Sequence, residues 1–312
     1  MTKIRIATFN CENLFARFKF NKNVDPAKAT KQGFDINMVN FDILSDTEKK
    51  LTAKAIAALD ADVIALQEIE NLDVLKRFRS DKLNGLKYTF AMLVDGNDPR
   101  QIDVAVLSRF PLVATRSFQH LRDGSTPLFS RDCLEVDVNV NGKTLTLFVN
   151  HFKSMLDKQH PSQGRKNTRA KRVKQAAEVK KIVQARFGSH PGSAPWIVLG
   201  DLNDFLAPSQ GTTSGITDLV TWPEVENVVD RLPVAERFTH FFDRAPAGEA
   251  RVQQLDYILL SSSLAAATNA LPVIERRGLS TKAKEVTVPR FPGVTAKSEA
   301  SDHCPVAIDI NL

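Results

Sequence analysis

A chain of 312 residues, 43% of them hydrophobic, can build one large α/β domain or two small ones; no Gly/Ser/Pro-rich linker divides it, so one domain over residues 1–312 is expected. Its 42 Lys and Arg against 36 Asp and Glu leave a net charge of +6, so small an excess that its distribution matters more than its size. Cys11, Cys133 and Cys304 lie far apart and fit no metal spacing, which argues against a disulfide framework; with no apolar leader and no run of transmembrane length, the expectation is a cytoplasmic protein without a membrane or an obligate protein partner.

Lys3–Asn10 alternates as a strand and ends on the polar cluster Asn10-Cys-Glu-Asn13. A Lys- and Asn-rich stretch without period, about 18–44, reads as a surface insertion. Ser45 and Asp46 can cap a helix whose Leu51, Ala55, Ile56 and Leu59 form one stripe. Asp62–Glu68 is a buried strand ending on an acid, and Leu72–Leu83 a second helix. Strand signals follow at Tyr88–Val94, Asp103–Leu107 and Leu112–Phe118. Asn141-Gly142 predicts a type I′ hairpin joining Cys133–Val140 to Thr144–Asn150, whose end abuts His151.

Between Lys153 and Arg186 the sequence is strongly basic, with Asp157 and Glu178 as its acids. This segment predicts a helix over Gln163–Phe187 with Val173, Ala176, Ala177, Val179, Ile182 and Val183 inward. Trp196–Leu199 is a strand, followed by Gly200-Asp-Leu-Asn-Asp204 and a short helix near Pro223–Val229. Phe238–Phe242, Val252–Leu260, Leu271–Ile274 and Cys304–Ile310 complete the strands, the last directly after Asp302-His303. Helices mixed with hairpins imply α/β layering with much antiparallel pairing.

Strand after strand begins or ends on a polar group: Asn10, Glu68, His151, Asp201 with Asn203, Asp256, and Asp302 with His303. Singly these have ordinary readings as turn caps, ion pairs or structural histidines. Together they suggest a site. Asp201 and Asn203 would point one way with Leu202 turned to the other face. Asp256, flanked by apolar residues, needs a buried partner, since an unpaired charge there costs on the order of several kcal/mol; His303 suits it.

The set suits phosphoester hydrolysis. Glu68, Asn10 and Asp302 are hard oxygen donors that favour Mg²⁺ or Mn²⁺ over zinc. Asp201 beside Asn203 can deprotonate and orient a water, and two imidazoles can neutralise charge on the phosphoryl oxygens and the leaving group.

Asn10 with Glu12, Gln67-Glu68, Asn150-His151, Gly200-Asp-Leu-Asn203, Leu255-Asp-Tyr257 and Ser301-Asp-His-Cys-Pro305 stand in the order found in the endonuclease/exonuclease/phosphatase superfamily, and the chain resembles its deoxyribonuclease I-like members from residue 4 to 310. The resemblance implies a four-layer α/β/β/α sandwich, two packed mixed sheets flanked by helices, with a divalent-metal site at one sheet edge. It implies Glu68 as principal metal ligand, with Asn10 and Asp302 completing the metal's environment. It further implies Asp201 as the water-activating residue and Asn203 as the phosphate-orienting one. His303 backed by Asp256 would stabilise the pentacovalent phosphorus, and His151 would be a second catalytic histidine. Gln67-Glu-Ile-Glu70 and His151 depart from the apurinic-site endonuclease pattern, so a base-excision role is not implied. Asn150-His-Phe-Lys-Ser154 and Arg172-x-x-Gln175 resemble bacterial nuclease- or phosphodiesterase-type members, which makes Lys153 and Arg172 candidate substrate contacts.

The function expected is a Mg²⁺- or Mn²⁺-dependent phosphodiesterase, a nuclease acting on DNA or RNA, with residues 153–186 as a track for the phosphate backbone unless they are only a solvated helix face. The alternatives are a small-molecule or lipid-head-group phosphoesterase and, more remotely, a non-catalytic binding module.

Overall fold

The computed structural model describes residues 2–15, 46–209, 211–243, 245 and 251–312. The insertion expected at about 18–44 lies outside them. The chain opens with strand β1 (Lys3–Leu14), helix α1 (Asp46–Leu59), β2 (Val63–Ile69) and α2 (Leu72–Lys82). Next come β3 (Phe90–Leu93), β4 (Asp103–Ser108), β5 (Leu112–Ser117), the small ribbon of β6 (Arg122–Asp123) and β7 (Thr126–Pro127), and the hairpin β8 (Cys133–Val140) and β9 (Lys143–His151). Helix α3 (Gly164–Phe187) leads to β10 (Trp196–Asp201), α4 (Thr217–Val220), β11 (Val225–Asn227), β12 (His240–Phe241), β13 (Val252–Gln253), β14 (Asp256–Ser261), α5 (Ser262–Ala267), β15 (Val273–Ile274) and β16 (Val306–Asn311).

Two mixed sheets result. One has the order β15-β16-β1-β2-β4-β3 and the other β11-β14-β10-β9-β8-β5. Each contains one parallel pair, β1 with β2 and β9 with β10, among antiparallel neighbours. The period of two explains why the central strands are apolar on both faces. Ile4, Ile6, Val63 and Ala65 meet Leu145, Leu147, Ile197 and Leu199 between the sheets. The alternate residues Phe9, Ile64 and Leu66 turn outward onto Leu51, Ile56 and Leu75 of α1 and α2. On the other flank Phe148, Trp196 and Val198 pack against Ala176, Val179 and Val183 of α3. The layers are therefore α/β/β/α, as the resemblance implied.

The hairpin turn is as expected: Asn141 (φ 52°) and Gly142 (φ 91°) are both left-handed, the requirement of a type I′ turn. Three details differ from the sequence reading. Pro223–Val229 holds strand β11 and the start of a 3₁₀ turn, because the backbone of Val225–Asn227 pairs with β14. Val252–Leu260 is two strands, since Gln254-Leu255 turns the chain out of the ribbon with β12 and into the main sheet. In α3 the buried face follows Arg172, Gln175, Ala176, Val179, Ile182 and Val183; Ala177 is exposed and Val173 half-buried, so two polar side chains replace expected apolar ones.

Candidate active site

Topology alone brings the polar residues together. The parallel strands β1, β2, β9 and β10 end at one edge of the sandwich with Asn10, Glu68, His151 and Asp201 at or near their C-termini. The antiparallel β14 starts at that edge, Asp256 opposite Asp201, and β16 starts there just after Asp302-His303. Local irregularities then aim the side chains. The β2 ladder slips between Leu66 and Ile69, and Glu68 in that bulge has φ 64°. Gly200 has φ 131°, and a Cβ there would lie 2.0 Å from the Asn150 carbonyl oxygen, so only glycine lets β10 approach β9 this closely. Leu202 turns into the α3-side core while Asn203, at φ 53°, turns back to Asp201.

One oxygen is the meeting point. Asp201 Oδ2 accepts from Asn203 Nδ2 (2.7 Å) and Asn10 Nδ2 (3.1 Å), with His151 Nε2 at 3.4 Å and His303 Nε2 at 3.9 Å. Its Oδ1 accepts the Asn203 backbone N–H at 2.8 Å. Behind His303, Nδ1 lies 2.8 Å from Asp256 Oδ2, which also accepts from Thr239 Oγ1 at 2.7 Å. The partner expected for Asp256 is thus the one found. Asp201, 1% exposed, is pushed up to about 7 by burial, against the pull of His303. Burial lowers His303, but Asp256 and Asp201 outweigh it and raise its pKa well above the usual histidine value. His151 is held neutral, first by burial and then by Arg131 and His303.

Glu68 Oε2 accepts the Asn13 backbone N–H at 3.0 Å, which leaves Oε1 with a long 3.5 Å approach from Asn10 Nδ2 and with His151 Nε2 at 3.8 Å. A partly exposed carboxylate oxygen so weakly partnered, beside an amide and further acids, fits a hard divalent cation. Asp302 joins from beyond His303: Oδ1 is 3.9 Å from His303 Nε2, and the Asp302 backbone N–H donates to Glu12 Oε2.

The sequence reading passed over Thr239 and His240. Thr239 holds Asp256, while His240 Nε2 lies 3.3 Å from Asp302 Oδ2, so two adjacent residues brace both members of the Asp302-His303 pair. Its signal was present only as a histidine inside an apolar strand. Arg131, 3% exposed, was also missed; it donates to the Phe152 carbonyl beside His151.

Much of the basic segment is paired within the chain, with Arg165 and Arg172 buried. Arg165 and Arg172 grip Asp204, Lys174 meets Asp123, and Arg186 meets Glu135 and Asp137. Arg172 is 0% exposed. It donates to Asp204 Oδ2 at 2.9 Å and to the Lys153 carbonyl at 3.2 Å, while Gln175 Oε1 accepts the Lys153 N–H. Arg172 thus has no exposed surface in this structure with which to meet a substrate, and Arg172-x-x-Gln175 clamps the loops that follow His151 and Asn203. Lys153 Nζ rests on the Ser154 and Leu156 carbonyls.

The comparisons agree with this architecture. A truncated TDP2 from Caenorhabditis elegans superposes with a TM-score of 0.60 at 14% identity, covering 99% of this chain and 98% of that one. Danio rerio TDP2 complexed with single-strand DNA product gives 0.58 at 15% identity over 100% of both chains. Bacteroides thetaiotaomicron mannosyl-6-phosphatase Bt3783 gives 0.59 at 16% identity over 99% and 100%. These likenesses establish the shared fold. A search of curated protein sequences gives no match. Residues 5–311 match the Endonuclease/Exonuclease/phosphatase family, and the chain belongs to it. Its members are divalent-metal-dependent phosphoester hydrolases. Among the described residues no helix is long and apolar enough to cross a membrane.

Proposed function

We propose that the protein is a Mg²⁺- or Mn²⁺-dependent phosphodiesterase that cleaves DNA or RNA by attack of an activated water. The convergence of Asn10, Asn203, His151 and His303 on Asp201 Oδ2 carries this reading. Asp201 takes the proton of the attacking water, and a carboxyl brought to about 7 is matched to that task near neutral pH. Asn203 holds Asp201 in place and orients the phosphate. His303, kept protonated by Asp256, donates through Nε2 to the phosphoryl oxygens as their charge grows. His151 supplies a second N–H towards the leaving oxygen. Glu68 Oε1, with Asn10 and Asp302, would hold the cation, whose chemistry is to polarise a phosphoryl oxygen.

The substrate class draws support from the single-strand DNA product bound by the Danio rerio protein of the same fold. A small phosphoester is the second reading, favoured by the internal pairing of the basic residues of α3. Two measurements test the proposal. Asp201→Ala and His303→Ala each abolish metal-dependent hydrolysis of bis-(p-nitrophenyl) phosphate with an unchanged circular dichroism spectrum; activity retained in either removes the site assignment. Plasmid DNA, RNA and small phosphoesters are then compared with Mg²⁺ and Mn²⁺ at two salt concentrations, and turnover of a small ester with no polynucleotide cleaved replaces the first reading by the second.

A further inference from the structure

Three ligand atoms face one another on the Asp302 side of the site. His240, Asp302 and His303 each offer one within 4.8 Å of the other two. His240 Nε2 lies 3.3 Å from Asp302 Oδ2, and His303 Nε2 lies 3.9 Å from Asp302 Oδ1. The two imidazoles face different oxygens of Asp302, so a cation between them would meet the carboxylate through both; ligand atoms on zinc with bonds of about 2.0–2.1 Å stand about 3.3–3.4 Å apart, which is the first of these spacings and about half an ångström below the second.

The rings are held where they are. His240 and His303 pair through their backbones as a β-bridge, their ring centroids are 4.4 Å apart, and His240 packs on Phe242 at 4.1 Å. The far nitrogen of His303 is bonded to Asp256, and a carboxylate behind an imidazole is the arrangement that orients metal-bound histidines. The Asp302 side chain is 38% exposed, which leaves a way in from solvent. Glu12 borders it, its Oε2 accepting the Asp302 backbone N–H, and so places one more oxygen beside the carboxylate.

We propose that His240, Asp302 and His303 form a second cation site, selective for borderline ions such as Zn²⁺ and Co²⁺ over Mg²⁺. Asp302 is shared with the all-oxygen environment of Glu68 and Asn10, and the two imidazoles set the new site apart from it: they suit zinc or cobalt, whereas magnesium prefers oxygen and keeps its waters. A cation on His303 Nε2 displaces the proton there to solvent. That nitrogen is the donor assigned above to the phosphoryl group, so zinc inhibits the Mg²⁺-supported reaction; this consequence rests on the proposed function, and the binding does not.

The test is Co²⁺ titration of metal-free protein in excess Mg²⁺, read by the visible absorption of imidazole-ligated cobalt, alongside Zn²⁺ competition and with no substrate present. Wild type shows a saturating band, displaced by zinc. His240→Gln and His240→Phe lose it, with cobalt affinity down at least tenfold and an unchanged melting temperature without metal. Glu68→Gln keeps the band while losing hydrolysis. A band absent from wild type, or retained at full affinity in both His240 variants, overturns the proposal and leaves His240 and Asp302 as a hydrogen-bonded pair. Failure of the functional reading instead appears as hydrolysis surviving Glu68→Gln, with the cobalt result untouched.

Discussion

Asp256 Oδ2 lies 2.8 Å from His303 Nδ1, and this buried pair sets the charge of the imidazole that faces Asp201. A histidine whose folded pKa is raised contributes stability that is complete below its unfolded value of about 6.5 and is lost as pH climbs through the folded value. Asp256→Asn should therefore lower the melting temperature most below about pH 6.5, with the gap to wild type closing in alkali. It should also cut kcat by about 10²-fold or more and move the alkaline limb of the rate profile to lower pH, because His303 then releases its proton earlier. Thermal scans and rate profiles from pH 5 to 10 check both halves.

Asp201 predicts the opposite limb. Burial pushes it up to about 7, so the reaction, which needs the carboxylate, should slow by about tenfold per pH unit below that value and level off above it. The Asn203 side chain donates to Oδ2 at 2.7 Å and so favours the ionised form. Removing it in Asn203→Ala should shift the acid limb upward as well as lower kcat. A limb that stays in place would separate Asn203 from the control of Asp201.

Much of this was legible in the sequence because the chemistry sits at strand ends. Apolar runs closing on Asn10, Glu68, His151 and Asp201 announce both the strand and its cargo, and the parallel pairing of β1 with β2 and β9 with β10 puts these four on one edge. His240 was not legible, since its use depends on a two-residue ribbon bridged to His303. Arg172 misled for the converse reason. A cation in a basic run reads as a surface contact, and only the packing of α3 on the Asp204 loop turns it inward. The bulge at Glu68 likewise depends on the pairing of β2 with β4.

Glu68 is expected to govern metal rather than fold. Its Oε1 has no close partner, so Glu68→Gln removes a charged donor without opening a cavity or orphaning a neighbour. Mn²⁺ binding followed by electron paramagnetic resonance should weaken by at least the ~10–100-fold typical of losing a supporting group. The melting temperature without metal should hold. Unchanged Mn²⁺ affinity would transfer the ligand role elsewhere.

Arg172 should behave as a strut. Its guanidinium meets Asp204, Lys153 and Arg165, and Asp204 in turn binds the backbone N–H of Gly215. Arg172→Ala leaves Asp204 buried with Arg165 as its remaining cation, and breaking one side of a buried ion pair costs about 3–5 kcal/mol. Arg172→Lys should rescue little, because an ammonium cannot span the same acceptors as the planar fork. At temperatures where the variants remain folded, KM should match wild type within about twofold, while kcat falls if the loops after His151 and Asn203 loosen. A raised KM with an unchanged melting temperature would mean that Arg172 reaches substrate after all, through an opening of the 153–172 region.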